Sequence, residues 1–270
     1  MAERPPTRPP ELPLPRALAR FIPPRPLPGD NLGLWIDRFL RRRAPESLSS
    51  PGEHAWSFKE AGRADELRAL TRAWTSQAGD EALQRREEWV DDLPGHIRLL
   101  GRQEGPLLIN HGVHSASEVA ALFHPLWGVP RIPGSSLRGV ARRALQADAD
   151  RIFGTTEEAG TVDVLDALPL GGSFSLGLDV LTPHHKEWYE GPGKKDWDKV
   201  TLLPTDDASP VPVTFLVVHS ATFVIDLVPR SRGAADDVAR VAEALEEALE
   251  WEGVGAKTSA GYGRLRVERA

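Results

Sequence analysis

The strongest constraint on this chain is the order in which its apolar periodicity changes. Short apolar runs at 97–100 and 107–109, separated by Gly-Arg-Gln-Glu-Gly, predict strands joined by a turn. A helical stripe follows at about 135–147, where Leu137, Val140, Ala141, Ala144 and Leu145 recur at spacings of three and four behind an N-cap at Ser135 or Ser136. The branched and aromatic runs 213–218 and 222–228 flank a three-residue connection and predict a hairpin. A second stripe, Val238, Val241, Leu245 and Leu249, predicts a helix over about 234–251, and 263–267 reads as a closing strand. Strands interleaved with helices in this order predict an α+β fold rather than a doubly wound sheet.

The first third reads differently. Ten of the 24 prolines lie in residues 5–28, where they remove donors and favour extended polyproline II, so residues 1–30 are expected to form a flexible tail. Asn31 is a plausible N-cap for a stripe of Leu32, Trp35, Ile36, Phe39 and Leu40, with Arg38, Arg41, Arg42 and Arg43 beyond it. Further helical stretches are expected at about 62–77, carrying Leu67, Leu70 and Trp74, and at about 80–91, carrying Leu83 and Val90. The chain thus divides into a tail at 1–30, a helical extension at 31–95 and a main region at 96–270.

Composition removes whole classes of chemistry. With no cysteine, disulfides, thiolate metal sites and a cysteine nucleophile are excluded. No apolar run approaches the roughly 20 residues needed to span a bilayer, which predicts a cytoplasmic protein without a membrane partner. The net charge of −6 is unevenly spread: residues 1–50 hold nine arginines against five acids, and 236–252 hold seven acids against one arginine. Arginine outnumbers lysine among the 33 basic residues, which suits phosphate recognition and equally suits a composition biased toward Arg, Ala and Pro.

Two segments carry anion chemistry. The first, GVGAKTSAGYGRL at 253–265, packs four glycines into eleven residues between the last helix and the last strand. Gly255, Gly261 and Gly263 allow a backbone whose amides converge on an oxyanion, Lys257 and Arg264 add charge, and Thr258, Ser259 and Tyr262 add hydroxyls. A packing turn is the alternative. The segment is not a P-loop, because Ala256 and Trp251 stand at the glycine positions and a helix leads in where a P-loop has a strand. Thr258 likewise breaks G-x-G-x-x-G. The second segment, Arg131-Ile132-Pro133-Gly134-Ser135-Ser136-Leu137-Arg138, opens the helix at 135. Arg131, Gly134, Ser135, Ser136 and Arg138 together offer free helix-terminal amides, hydroxyls and charge, or simply an ordinary capped start.

Taken with Gly128-Val129-Pro130, Phe153-Gly154, Asp166-Ala167-Leu168-Pro169, Pro183-His184-His185 after Asp179, and Pro212-Val213 before Phe215-Leu216, these segments resemble the RAMP proteins over about residues 98–267. Within that superfamily the pattern is similar to the sixth-named subunit family of type III-B (Cmr) CRISPR effectors. The resemblance implies ferredoxin-like βαββαβ units, a final glycine-rich loop on the guide RNA backbone, CRISPR guide RNA and target RNA as partners, neighbouring RAMP subunits of the complex, no cofactor, no metal and no catalytic residue. A guide must be held whatever its sequence, which favours phosphate and sugar contacts over base edges. Aromatics such as Trp127 or Tyr262 are candidates for base stacking, although Trp127, flanked by Leu126 and Val129, reads better as core packing.

An enzyme remains the rival class, since RAMP relatives that process repeat RNA use histidine. His184 with His185, beside Lys186, or His111 with His114 would supply an acid and a base, and Asp179 with His184 and His185 is a conceivable metal set. A scaffold docking through the acidic segment 236–252 and the arginine-rich segment 31–43 is the third.

Overall fold

The computed structural model describes residues 22–23, 25–27, 29–39, 67–111, 121–182 and 212–270. The expected histidines His114, His184 and His185, Arg41 to Arg43 and nearly all of the proline-rich segment lie outside them.

Among the described residues six antiparallel strands form one sheet: β1 (Ala73–Thr75), β2 (Ile97–Gln103), β3 (Val162–Val164), β4 (Leu168–Leu181), β5 (Val213–Pro229) and β6 (Leu265–Arg269). The order is β1-β4-β5-β2-β6, with β3 paired to β5. Four principal helices join them: α1 (Gln77–Val90), α2 (Gly134–Leu145), α3 (Ala149–Phe153) and α4 (Ala235–Trp251). Taking β2-α2-β4-β5-α4-β6 in chain order, with β6-β2-β5-β4 side by side, gives one ferredoxin-like βαββαβ unit among the described residues. The α+β expectation holds.

Helix α4 packs against α2 and against β2, β5 and β6. Its stripe of Val238, Val241, Leu245 and Leu249 is fully buried, on the sheet face that carries Leu99, Ile225 and Leu265. Burying a stripe of this kind is worth roughly 1.5–3 kcal/mol per large side chain. Asp237, in the first turn of α4, accepts two hydrogen bonds from Arg151 at 2.7 and 2.8 Å and one from Thr161 at 2.7 Å, which tie α3 to α4. Arg151 is the chief cause that holds the Asp237 carboxyl below its usual range.

The opposite face is covered in part by α1, capped as expected of a helix preceded by serine: the Ser76 hydroxyl accepts from the Gly79 amide at 3.1 Å. Arg86 of α1 reaches Asp226 near the C-terminal end of β5 at 2.8 Å, and Arg98 and His96 bring their side chains to the same carboxylate at 2.8 and 3.0 Å. Asp226 is wholly buried. Burial pulls the Arg86 guanidinium below its ordinary value, and Asp226 opposes that pull.

Three local expectations are corrected. The runs 213–218 and 222–228 are not a hairpin but one 17-residue strand, because His219-Ser220-Ala221 forms no turn: the pairing of Ser175 with Ser220 and Leu176 with Val218 skips one residue, a β-bulge. The helix expected at 62–77 ends before residue 73, and Trp74 reaches the core from β1, which pairs with Ser173–Ser175 of β4. Asn31 does cap its helix, accepting from the Leu34 amide at 2.9 Å, but the turn Leu32–Leu34 passes directly into a π-helical Trp35–Phe39.

Candidate nucleic-acid interface

The glycine-rich loop sits on a platform built by distant strands. Its backbone is stitched to the turn after β2, with the amide of Gly263 donating to Pro106 O and that of Ala256 to Leu108 O, both at 2.8 Å, and it is closed on itself by Val254 donating to Gly263 O at 2.9 Å. Gln103 steadies that turn by donating to both Gly105 O and Val218 O at 3.0 Å. Gly263, at φ +67, is required twice over, because a Cβ there would lie 1.9 Å from Val254 O. Gly261, at φ +86, meets nothing within 4 Å, so its need is conformational only.

Beneath the loop lies a small apolar cluster of Leu108, Phe215, Val217 and Tyr262. Lys257 sits above it, in the left-handed region at φ +60, with its Nζ 5.4 Å from the Phe215 ring centre and 5.5 Å from that of Tyr262. Both are cation–π distances. The amides of Thr258 and Ser259 find no acceptor among the described residues, and the Ser259 side chain is exposed. Arg264 is exposed at the loop's exit. A fixed cation and free amides on a rigid platform can hold an oxyanion.

Tyr262 has a different place from the exposed one expected. Its ring is buried at 8% exposure and its hydroxyl donates to the Asp179 carboxylate of β4. It is a strut under Lys257. Burial first, and the hydrogen bond to Asp179 second, push the phenol up to about 12. An acid with a raised folded pKa stabilises the fold fully below its unfolded value of about 10 and loses that contribution as pH rises toward the folded value. The expected outcome is a fall in melting temperature between pH 10 and about 12, and a Tyr262→Phe variant should lack this limb in a pH series of thermal melts.

The second segment is not a free anion site. Asp166 occupies it: its carboxylate pairs with Arg131 and accepts the Gly134 amide at 2.8 Å. Pro133 stands at the cap position, so neither Ser135 nor Ser136 caps the helix. Ser135 and Arg138 are exposed and Ser136 is half-buried. Nor do the two segments converge. Arg143, near the C-terminal end of α2, pairs with Glu252 at the entry to the glycine loop at 3.1 Å. Gly134 at the α2 N-terminus lies nine residues from Arg143, about 14 Å along the helix at about 1.5 Å per residue. Trp127 packs on the core with its ring stacked on His124 at 3.7 Å. His111 is exposed, and no cluster of three metal-ligating side chains occurs among the described residues.

A family model for the RAMP superfamily matches residues 104–266, from the turn under the loop to the strand that leaves it. The chain belongs to the RAMP superfamily. This RAMP protein is 35% identical over 120 residues to the CRISPR system Cmr subunit Cmr6 of Pyrococcus furiosus, covering 43% of the chain and 33% of that relative. It is 28% identical over 154 residues to the corresponding Cmr6 of Saccharolobus solfataricus, covering 54% of the chain and 48% of that relative. The chain thus spans less than half the length of these curated relatives, which it resembles. In fold it matches a chain of the cryo-EM structure of the type III-B Cmr-beta complex bound to cognate target RNA, with a TM-score of 0.58 and 21% identity over 77% of this chain and 72% of that one.

Proposed function

We propose that this RAMP protein is a non-catalytic subunit of a type III-B CRISPR effector that holds guide RNA, and the guide–target duplex, by its sugar-phosphate backbone, with other RAMP subunits as neighbours. The observation that carries the reading is Lys257, held in a left-handed conformation above two aromatic rings beside the amides of Thr258 and Ser259, which find no acceptor among the described residues. A non-glycine residue in that conformation costs about 1–2 kcal/mol, and the fold tolerates it where the ammonium needs a fixed position. The Tyr262 ring is buried, so the loop offers no flat, open ring to a base, and a point charge with backbone amides grips phosphate whatever the sequence. The relatives' assignment to Cmr complexes supports the larger setting.

Lys257→Ala is expected to weaken binding to unrelated single-stranded RNAs by similar factors, on the order of fivefold each, and to reduce the slope of log affinity against log salt by about 0.7. Filter binding on several sequences at several salt concentrations measures both. A loss confined to one sequence would mean a base-reading site, and no loss at all would remove the loop from the interface. In the same assays the chain alone should leave RNA uncut, with or without divalent metal. RNA recovered with the tagged protein from its host should consist of guide sequences.

A further inference from the structure

A groove of about 850 Å³ opens on the sheet face that the loop occupies. The alternation of β4 places Ser173, Ser175, Gly177 and Asp179 on one side, and Asp179 is the residue that receives the Tyr262 hydroxyl, so groove and loop share that face. From Asp179 to Ser175 is about 13 Å at about 3.3 Å per residue. On β2 the same side carries Arg98, Leu100 and Arg102. Helix α1 covers the Arg98 end through Asp226 and leaves the Arg102 end open.

The two arginines and two glutamates at that open end are unevenly paired. Arg102 stands directly opposite Arg266 in the β2–β6 register, an arrangement that destabilises neighbouring strands unless an anion lies between the two. Glu104 engages Arg266 at 2.7 Å, whereas Arg102 has no counter-ion among the described residues. One carboxylate, Glu268, lines the groove, one pleat away opposite Leu100. The floor on β4 and β5 mixes hydroxyls with apolar side chains: Ser175 faces Ser220 and Thr222 pairs with Arg102, beside Leu170 and Ala221. No ring lies flat and open there, since Trp74 and Phe174 are buried.

We propose that this groove binds a second stretch of single-stranded RNA backbone, with a phosphodiester at Arg102 and ribose 2′-hydroxyls against Ser175, Ser220 and Thr222, so that a strand leaving the loop continues across the sheet. The inference rests on the reading of the loop as a backbone grip. The experiment is fluorescence anisotropy on the full chain with a short oligouridylate that spans only the loop, a longer one that spans both surfaces, and the longer oligomer as DNA. Arg102→Ala should weaken the long RNA on the order of fivefold, lower its salt slope by about 0.7 and spare the short one. Thr222→Val should narrow the preference for RNA over DNA. The melting temperature of Arg102→Ala should not fall, because the substitution relieves the repulsion with Arg266, and Arg102→Gln serves as a second variant with the same expectation. If Arg102→Ala and Arg102→Gln bind long RNA like the parent while Lys257→Ala does not, the groove proposal is overturned and the loop reading stands. If none of the three changes affinity, both fall. Unchanged RNA affinity with loss of a neighbouring subunit from the assembled complex would make the groove a protein surface and would also overturn the proposal.

Discussion

Asp226→Ala is expected to cost about 3–5 kcal/mol of stability, the usual penalty for removing one partner of a buried charge set. The carboxylate has no exposed surface and lies within 2.8 Å of Arg86 Nε and Arg98 Nε and 3.0 Å of His96 Nε2. Arg86 Nε approaches at ion-pair distance without the alignment of a hydrogen bond, but the same guanidinium donates to Asp166 O at 2.6 Å and Val224 O at 3.3 Å. Alanine would leave the Arg86 guanidinium inside the fold with no paired carboxylate among the described residues, would leave Arg98 only Glu87 at 2.8 Å and Asp91 at 3.9 Å, and would loosen α1 from the sheet. A thermal or urea melt should show a midpoint lower by roughly 10 °C or more, given about 2–4 °C per kcal/mol for chains near this size. Because Asp226 touches neither loop nor groove, RNA affinity of the folded fraction should be unchanged at low temperature. A melting temperature within 2 °C of the parent would mean that the three basic side chains stabilise nothing together.

Gly263→Ala should be the most damaging single change in the loop. The alanine would need both a left-handed backbone and a Cβ 1.9 Å from Val254 O, inside the hydrogen-bonded ladder that fastens the loop to Pro106. Strain and displaced backbone together should cost about 3 kcal/mol or more and reduce RNA binding, since Lys257 loses its platform. Gly261→Ala supplies the contrast. With open space around it, that variant bears only the conformational term, about 1–2 kcal/mol. Paired melts and binding curves of the two variants measure the difference. Equal destabilisation would show that the ladder at Gly263 yields to a methyl group without consequence.

Much of this could be read from the chain. The stripes of α2 and α4 emerged with boundaries within two residues, because an amphipathic helix writes its buried face into a period of 3.6 that no partner is needed to see. The glycine loop was likewise locatable, since its residue types report backbone freedom directly. Strand β4 was not: Gly171 and Gly172 interrupt its pattern where the register slips against β5, and its residues alternate against partners some 40 positions away. For β5 a second slip, at His219 between Val218 and Ser220, imitated a turn.

What the sequence by itself determined is the α+β order, the two helical faces and the loop that carries Lys257. Only the tertiary structure decided which charges are free. Asp166, 32 residues from Gly134, occupies the helix terminus that looked open; Asp179, 83 residues from Tyr262, turns an expected RNA contact into a strut; Arg102, opposite Arg266, has no counter-ion among the described residues. Periodicity is a local property of the chain and survives in the sequence. The pairing of a charge depends on which distant carboxylate the packing brings within about 3 Å, and that distance exists only in the folded state.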